Sequence, residues 1–395
     1  MLNKFKCYNL YHIDSFTQYD IIYIIYLFFK YIPQKVLLFY KQYSYRIFFT
    51  NKLKGDLMFM KYKNVNIVGT GIYHPSNKVD NDYYIEHFKN LGKDIAPFLD
   101  NLGRKERYIV NNTTENALTM AIEASKNALK IAGISADKLD AIVFSSDTPE
   151  YLCPSNALII NHELQASNAH TVYDLNSNCV GMVVALDQMS RFMKTSKNIK
   201  YALVVGGILV SSIAREDCKY TYPASGDGAA AVILKCTEED TQRGILDSKY
   251  CTRSEYYSTI ISPCCGLTKA RLNTTSEYDK KQQWTPFPLN FFAPEWSKAI
   301  DEFMCEYDFS LDEIQYFFLS QYSKQFLIET ARILNIDNYE EKFAYIGDKY
   351  AYTGTTSPIF ALHETLQNKP ITPGAKAVFC SVGAGVAMCS LLYKF

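Results

Sequence analysis

The sequence has no net charge, because Lys+Arg and Asp+Glu each number 41 among its 395 residues. It therefore lacks the overall field that would attract nucleic acid or an anionic membrane surface. Its 11 cysteines are scattered and include no CxxC pair, so neither a zinc site nor a secreted disulfide framework is indicated. Scattered free thiols are typical of a reducing cytoplasm. We predict a cytoplasmic protein without a metal or a bound cofactor.

The sequence also lacks an uninterrupted apolar run that could cross a bilayer. The stretch Ile21–Phe29 is apolar, but Lys30 and Pro33 interrupt it before the ~20 apolar residues that a span requires. We interpret residues 1–57 as a translated leader ahead of a later start codon. The alternative is a membrane anchor at residues 19–40, and we expect membrane contact only if that segment is part of the protein.

What is present beyond this segment is a regular α/β pattern. From residue 60 onward, short apolar runs alternate with helical segments, which indicates βαβ units. Two pairs of segments repeat position by position at one offset: 135–145 with 310–320, and 200–205 with 375–380. The shared register predicts an internal duplication, with chance hydrophobic alternation as the alternative. We expect halves at residues 58–235 and 236–395, with a site at their junction.

One cysteine lies in a pattern that favours chemistry. Residues 174–186 predict a strand, a sharp turn and a helix, with Cys179 at the helix start. Unpaired N–H groups and the helix macrodipole favour an anion there, so we expect a lowered thiol pKa and a nucleophilic thiolate. Gly181 would allow a close backbone approach. On spacing alone, an inert core cysteine is an equally good interpretation.

Several motifs resemble those of one family. Residues 174–186 resemble the nucleophile segment of the 3-oxoacyl-(acyl-carrier-protein) synthase III family, which reads Asp-x-x-x-x-Cys-x-Gly-x-x-x-Ala-Leu. Four further segments resemble the family's motifs in order and spacing: residues 69–75, 103–107, 226–230 and 382–385. Together they extend the resemblance over about residues 60–395.

The resemblance implies a thiolase-like α/β fold, with two duplicated halves in a five-layer αβαβα arrangement, and a dimeric protein. It implies that Cys179 carries an acyl group as a thioester. The backbone N–H groups of Cys179 and Gly385 would form the oxyanion hole that stabilises the tetrahedral intermediate.

The sequence departs from the family at two catalytic positions. The family's histidine and asparagine align with Ser320 and Tyr352, and no other histidine lies between His170 and His363. Losing one such donor costs ~2.7–4 kcal/mol, or ~100- to 1000-fold in rate. The two hydroxyls can donate hydrogen bonds, although neither is a good base near neutral pH. We therefore interpret Ser320 and Tyr352 as a substitute catalytic pair. We expect His363 to be a helix-face residue without a catalytic role.

The substrate-binding positions differ as well. The family's nucleotide-gripping aromatic and arginine align near Pro97 and Asn101, whereas Lys219 replaces a phosphate-binding arginine. This favours an acyl-carrier-protein thioester over acyl-CoA as the donor. Cys153 aligns with the bulky residue that lines the acyl pocket across the dimer interface, so we expect room for a longer or branched acyl chain.

These observations lead to one main expectation and one alternative. The main expectation is an acyltransferase of fatty-acid-like or specialised-metabolite biosynthesis. It would pass the acyl group from Cys179 to a malonyl carrier or to another acceptor, such as an oxygen or nitrogen atom. The alternative is a catalytically degenerate subunit that partners or regulates an active paralogue. A homodimer fits the first, and a heterodimer with the paralogue fits the second.

Overall fold

The computed structural model describes residues 61–395. The predicted leader or anchor therefore lies outside the described residues. Within residues 61–395, no helix has both the length and the apolar character that a membrane span needs. The same residues contain no cluster of histidine, cysteine, aspartate or glutamate that could hold a metal ion.

Strands and helices alternate along the described chain. The strands are β1 (Tyr62–Tyr73), β2 (Lys78–Asp80), β3 (Glu106–Tyr108), β4 (Ala141–Ser145), β5 (Thr171–Leu175), β6 (Tyr201–Ile208), β7 (Gly228–Glu239), β8 (Gly244–Thr252), β9 (Ile260–Ile261), β10 (Gln283–Trp284), β11 (Ile314–Leu319), β12 (Lys376–Gly383) and β13 (Ala387–Lys394). The helices are α1 (Asn81–Asn90), α2 (Ala96–Leu102), α3 (Ala117–Ala132), α4 (Asn156–Leu164), α5 (Gly181–Thr195), α6 (Val210–Ile213), α7 (Gly266–Ala270), α8 (Phe292–Tyr307), α9 (Lys324–Ile333), α10 (Tyr339–Lys342), α11 (Gly347–Tyr350) and α12 (Ser357–Asn368).

The main sheet has the order β11-β12-β13-β8-β1-β7-β6-β4-β5. It consists of two strand sets that meet where Val65 of β1 pairs with Gly244 of β8. In the first set, β5, β4 and β6 are parallel, and β7 is antiparallel to both β6 and β1. In the second set, β11 and β12 are parallel, and β13 is antiparallel to both β12 and β8. The outermost strand of the second set is reduced to a single parallel bridge between Phe343 and Phe317.

This topology confirms the internal duplication. The first repeated pair of segments forms β4 and β11, and each strand follows a short 3-10 turn, Ala136–Lys138 or Leu311–Glu313. Ser310 and Glu313 form a capping box before β11. The second repeated pair forms β6 and β12. Because β7 continues past residue 235 to Glu239, the connection between the two strand sets lies at residues 240–243.

Three large hydrophobic cores join five layers, because the central core packs against both faces of the middle helix layer. Helices α3 and α4 cover the outer face of the first strand set, and α8 and α9 cover the outer face of the second. Helices α5 and α12 lie between the two sets. Alternate residues of a strand enter different cores: Val143 of β4 faces the central core, and its neighbour Phe144 faces the outer one. Burial on both faces explains why these strands are continuous apolar runs, and it confirms the αβαβα arrangement.

Candidate active site

Cys179 occupies the turn between β5 and α5. It is the middle residue of a 3-10 turn at Asn178–Val180, and α5 begins directly afterwards at Gly181. Asn178 has φ 52°, a left-handed conformation that asparagine tolerates better than most residues. Its N–H donates to Oδ1 of Asn176 over 2.9 Å. The predicted strand, sharp turn and helix are therefore all present.

The cysteine turn is attached to both halves of the fold. A Cβ added at Gly181 would lie 2.1 Å from Ser145 Oγ, so the helix start can approach β4 only without a side chain. From the second half, Thr355 Oγ1 accepts the N–H of Met182 over 2.8 Å. Ser381 Oγ donates to the carbonyl oxygen of Cys179 over 3.0 Å. These contacts fix the position of the thiol relative to the second-half loops.

The structure brings together the three residues predicted to be catalytic. Ser320 directly follows β11 and is fully buried, and its Oγ donates to Tyr352 Oη over 3.4 Å. The Tyr352 hydroxyl also acts on the Cys179 thiol, because hydrogen bonding from this hydroxyl lowers the pKa of the thiol. Burial, followed by the neighbouring thiol, raises the pKa of Tyr352 well above its usual value. Tyr352 is therefore a hydrogen-bond donor rather than a base.

Backbone contacts and strain position Tyr352. Its N–H donates to the carbonyl oxygen of Ala224 over 3.2 Å, and its own carbonyl accepts the N–H of Gly226 over 3.1 Å. The preceding residue, Ala351, has φ 55° and ψ −148°, a combination that residues other than glycine rarely adopt. Such strain persists only where surrounding contacts enforce it, and it clusters at functional sites.

Arg104, in the segment at residues 103–107, donates hydrogen bonds to the backbone of the loops that position Ser320 and Tyr352. Its guanidinium is buried and donates to the carbonyl oxygens of Ala224, Gln321 and Tyr322 over 2.9, 2.9 and 2.7 Å. One side chain thus connects the loop after β11, which begins at Ser320, with the segment that binds the Tyr352 backbone. The physical role of this motif is to position the second-half loops.

The expected lowering of the Cys179 pKa is wrong. Burial, followed by the nearby Asp147 carboxylate, raises the pKa of the thiol to about 12, although the hydrogen bond from Tyr352 opposes this rise. The N–H of Met182 at the helix start bonds Thr355 Oγ1 rather than the thiol. The resting site therefore holds a thiol, and its reaction requires a proton acceptor.

Asp147 was not identified from the sequence. Its Oδ2 lies 4.0 Å from Cys179 Sγ, and its Oδ1 is buried without a hydrogen-bond partner among residues 61–395. Burial raises the pKa of this carboxyl to about 6. A signal was available, because Asp147 and Cys179 each follow one of two neighbouring parallel strands, β4 and β5. The carboxyl ends of such strands meet at one edge of the sheet, where sites form.

These groups line a cavity of about 100 Å³. Its wall combines the apolar Ile208, Val210 and Ile213 with polar residues such as Asn176 and Asn178, and it contains no lysine, arginine or histidine among the described residues. Trp284 belongs to this wall and also to that of a second cavity of about 540 Å³, which contains Lys93, Arg215 and Lys219. Asp94 and Asp217 line the same wall, so the inner cavity adjoins an outer cavity with three cations and two carboxylates.

The remaining predicted positions lie around these cavities. Lys219 lines the outer cavity, with its Nζ 5.5 Å from the ring centroid of Phe98. Gly385 lies in the turn between β12 and β13 with φ 73°, next to Ala384, which lines the inner cavity. Cys153 is exposed on the loop before α4 and does not line the inner cavity within this chain. Its predicted place across a dimer interface involves two chains and stays a prediction.

His363 has a structural contact. One of its ring nitrogens bonds Thr70 Oγ1 over 3.0 Å, and the residue is absent from the wall of the inner cavity. This placement agrees with the expectation of a helix-face histidine. The site near Cys179 therefore draws on cysteine, carboxyl and hydroxyl groups from the described residues.

Two repeated α/β strand sets, with a cysteine at the start of the central helix, define a thiolase-like fold. A 3-oxoacyl-(acyl-carrier-protein) synthase III from Aquifex aeolicus VF5 has this fold: it superposes with a TM-score of 0.73 at 24% identity, covering 84% of this chain and 100% of that one.

The sequence comparisons point to one family. Profiles described as 3-oxoacyl-(acyl-carrier-protein (ACP)) synthase III and its C-terminal part match residues 173–254 and 305–395. A beta-ketoacyl-(acyl-carrier-protein) synthase III of Wolbachia sp. subsp. Brugia malayi (strain TRS) is 27% identical over 335 residues, covering 83% of this chain and 98% of that relative. A protein of the same name from Clostridium botulinum (strain Kyoto / Type A2) is 28% identical, covering 82% of this chain and 96% of that relative. Both profiles and both relatives support the 3-oxoacyl-(acyl-carrier-protein) synthase III family for this chain.

Proposed function

We propose that this chain is an acyltransferase that carries its acyl group on Cys179 as a thioester. The observation that supports this most strongly is the thiol itself, fixed at a helix start inside a cavity at the junction of the two halves. The family's named activity is a synthase reaction on acyl-carrier-protein substrates. A fatty-acid-like or specialised-metabolite pathway in the cytoplasm is the setting that fits this activity.

The donor is a thioester whose phosphate group remains in the outer cavity. Lys93, Arg215 and Lys219 supply positive charge there, and cations of this kind bind phosphate oxygens. Trp284 forms part of both cavity walls, so a pantetheine-like arm passing this ring would reach Cys179. We favour an acyl-carrier protein as the carrier of that arm, with acyl-CoA as the other possible donor.

Acyl loading uses groups from both halves. The thiol of Cys179 attacks the thioester carbonyl, and the backbone N–H groups of Cys179 and Gly385 stabilise the oxyanion. Tyr352, supported by Ser320, donates a hydrogen bond into the same space. These two hydroxyls take the place of the family's histidine and asparagine as donors, but they do not replace a base.

The functional unit we propose is a homodimer. Strand β5 is an edge strand of the main sheet, so its outer backbone groups can pair with a second copy. The adjacent loop exposes Tyr151 and Leu152 at 48% and 67% of their surfaces. Cys153 follows in the same loop, where it would line the partner's acyl cavity. The small side chain of Cys153 would then admit a longer or branched acyl chain.

A second candidate function is that of a degenerate subunit that partners an active paralogue. The raised pKa of the Cys179 thiol and the replaced histidine and asparagine favour it, because both features slow the family's condensation. The hydrogen-bonded thiol and its adjoining cavities favour the acyltransferase instead.

Intact-protein mass spectrometry of the full chain tests the proposal. The protein is incubated with acyl-carrier-protein and acyl-CoA thioesters of different chain length, next to the variants Cys179→Ala and Cys305→Ala. We expect an acyl mass shift in the wild type and in Cys305→Ala, whose exposed thiol on α8 serves as the control, and none in Cys179→Ala. A wild-type protein that takes up no acyl group from any donor would leave the degenerate subunit as the better account.

A further inference from the structure

The carboxyl of Asp147 is placed to exchange a proton with the reactive thiol. Its Oδ2 lies 4.0 Å from Cys179 Sγ, and its Oδ1 is buried and unpaired among residues 61–395. A buried carboxyl oxygen without a partner is costly, so it is expected where a ligand or a reacting group supplies the missing contact. Its neighbours fix the loop: Ser146 Oγ donates to Gly207 O over 2.7 Å, and Thr148 Oγ1 accepts the N–H of Leu209 over 2.9 Å.

No other described group lining the inner cavity can accept the thiol proton near neutral pH. The titratable side chains that face Asp147 across this cavity are Cys179, Tyr322 and Tyr352. Burial raises the pKa of both tyrosines, so they remain protonated. Histidine, lysine, arginine and glutamate are absent from this wall in the described part of the chain. A carboxyl with a pKa of about 6 is ionised at neutral pH and can still be protonated during turnover.

We propose that Asp147 is the general base and acid for Cys179, and that the site passes its acyl group to a neutral hydroxyl or amino group rather than to a malonyl thioester. This inference rests on the proposed function, because it concerns both half-reactions of the same acyltransferase. It assigns proton transfer to the first half of the fold.

The protons balance in both steps. In the first step, Asp147 takes the thiol proton as sulfur attacks the donor carbonyl, and returns it to the departing thiolate of the carrier. In the second step, Asp147 takes a proton from the acceptor hydroxyl or amine as that atom attacks the acyl carbonyl. The bond from carbonyl carbon to Cys179 sulfur breaks, and the leaving thiolate recovers the proton from Asp147.

Charge disfavours a malonyl acceptor in this cavity. A malonyl group brings a carboxylate, and decarboxylation delivers its own carbanion without a base. The wall offers that carboxylate no described cation, and Asp147 already places one negative charge there. Two carboxylates in one low-dielectric cavity repel each other, whereas a neutral acceptor avoids the repulsion and uses the base.

The first arm of the test compares Asp147→Asn with Glu150→Gln in the full chain. Glu150 is an exposed carboxylate on the same loop, so it controls for loss of charge near the site. Acyl loading on Cys179 from acetyl-CoA and acetyl-carrier protein is timed by intact mass. We expect Asp147→Asn to load about 100- to 10,000-fold more slowly, as for removal of a general base, and Glu150→Gln to match the wild type.

A donor-free measurement separates a base from a structural residue. Alkylation of Cys179 by iodoacetamide is followed against pH, with the modified peptide identified by mass. The Asp147 carboxylate raises the pKa of the thiol, so Asp147→Asn should shift the alkylation profile to lower pH while it slows acyl loading. Because loss of the fold would also expose Cys179 and lower its thiol pKa, Asp147→Asn must keep the wild-type midpoint of urea denaturation, and only then do the two opposite changes identify a base.

The acceptor arm starts from loaded enzyme freed of donor. We add 1-butanol as a hydroxyl probe, methoxyamine as a neutral amine probe, or malonyl-CoA. Discharge of the acyl group to ester or amide, faster in the wild type than in Asp147→Asn, is the expected result, and the productive probe tells hydroxyl from amine. Discharge by malonyl-CoA with a 3-oxo product would overturn the acceptor assignment, and so would the finding that neither neutral probe discharges the wild type faster than Asp147→Asn.

The outcomes distinguish this inference from the proposed function. If wild type and Asp147→Asn load at the same rate, the base assignment is overturned while Cys179 remains the acyl carrier. If the wild type never loads, the proposed function is rejected, and the base role that depends on it is rejected too. An unchanged alkylation profile in Asp147→Asn would show that the carboxylate does not act on the thiol.

Discussion

The turns that precede α5 and α12 have similar backbone conformations in the two repeats but carry different side chains. The turn before α5 begins at Asn178 with φ 52°, and the matching turn before α12 begins at Gly354 with φ 53°. Their middle residues are Cys179 and Thr355. The thiol that we propose as the nucleophile and the hydroxyl that accepts the Met182 N–H therefore occupy equivalent positions.

The loops after β4 and β11 differ in the same way. Ser145 and Ser320 are repeat partners, and two residues beyond them stand Asp147 in the first half and Tyr322 in the second. The first half thus contributes the thiol and the carboxyl, and the second half contributes hydroxyl groups. The repeated backbone places equivalent positions of the two halves next to one site. The residue type at each position then decides which half contributes the group that we propose for proton transfer.

The largest expected effect comes from removing the connection between the halves. Arg104→Ala would leave several buried carbonyl oxygens without donors, including those of Gln321 and Tyr322. We expect a loss of about 4 kcal/mol in the free energy of unfolding, measured by urea denaturation. Arg332→Ala, which removes an exposed arginine of α9, is the control and should leave the unfolding midpoint unchanged. Equal midpoints for the two variants would contradict the role given to Arg104.

Removing the second-half donor tests how much that half contributes to catalysis. Tyr352→Phe keeps the ring but deletes the hydrogen bond to the thiol, which opposes the rise of its pKa. We expect acyl loading to fall about 100-fold and the iodoacetamide profile to shift to higher pH. Asp147→Asn shifts that profile the other way, so the two variants contrast the halves directly. Loading at the wild-type rate would show that the Tyr352 hydroxyl does not contribute to acyl loading.

The contact between the helix start and β4 offers a test with a rescue. Gly181→Ala would bring a Cβ to 2.1 Å from Ser145 Oγ, and we expect overpacking of about 2 kcal/mol. Ser145→Ala added to it removes that oxygen, after which the nearest remaining Ser145 atom is Cβ at 3.5 Å. The double variant should regain most of the lost stability in thermal unfolding. Failure of the rescue would place the strain elsewhere in the turn.

The smallest effect is expected at Ser320. Ser320→Ala removes one neutral hydrogen bond of 3.4 Å to the Tyr352 hydroxyl and leaves the hydroxyl's contact with the thiol. About 1 kcal/mol, or roughly fivefold in loading rate, is the expected cost. A single-turnover loading assay measures it, with the Tyr352→Phe variant for scale. A loss as large as that of Tyr352→Phe would make Ser320 an equal partner.

Local patterns made much of this architecture predictable from the sequence. The buried strands β4 and β11 are apolar runs after short 3-10 turns, and the cysteine turn shows its strand, turn and helix within residues 174–186. The outermost strand of the second set was not predictable in the same way, because it survives only as the bridge at Phe343.

The site was less predictable, because its properties depend on residues distant in the chain. The thiol pKa follows from burial by segments of both halves, including Tyr352, and from Asp147, which lies 32 residues before Cys179. The helix start alone suggested the opposite direction. Asp147 became recognisable only once β4 and β5 were known to be neighbours.

The most direct test of the account is the rate of acyl loading on Cys179 in the wild type between pH 5 and pH 9. Asp147 must be ionised to accept the proton, and burial sets its pKa at about 6. The rate should therefore be low at pH 5, rise through about pH 6 and level off above it. A rate that instead climbs tenfold with each pH unit up to pH 9 would follow the thiolate of a group with a pKa of about 12. That result would contradict the role of Asp147 as the general base for Cys179.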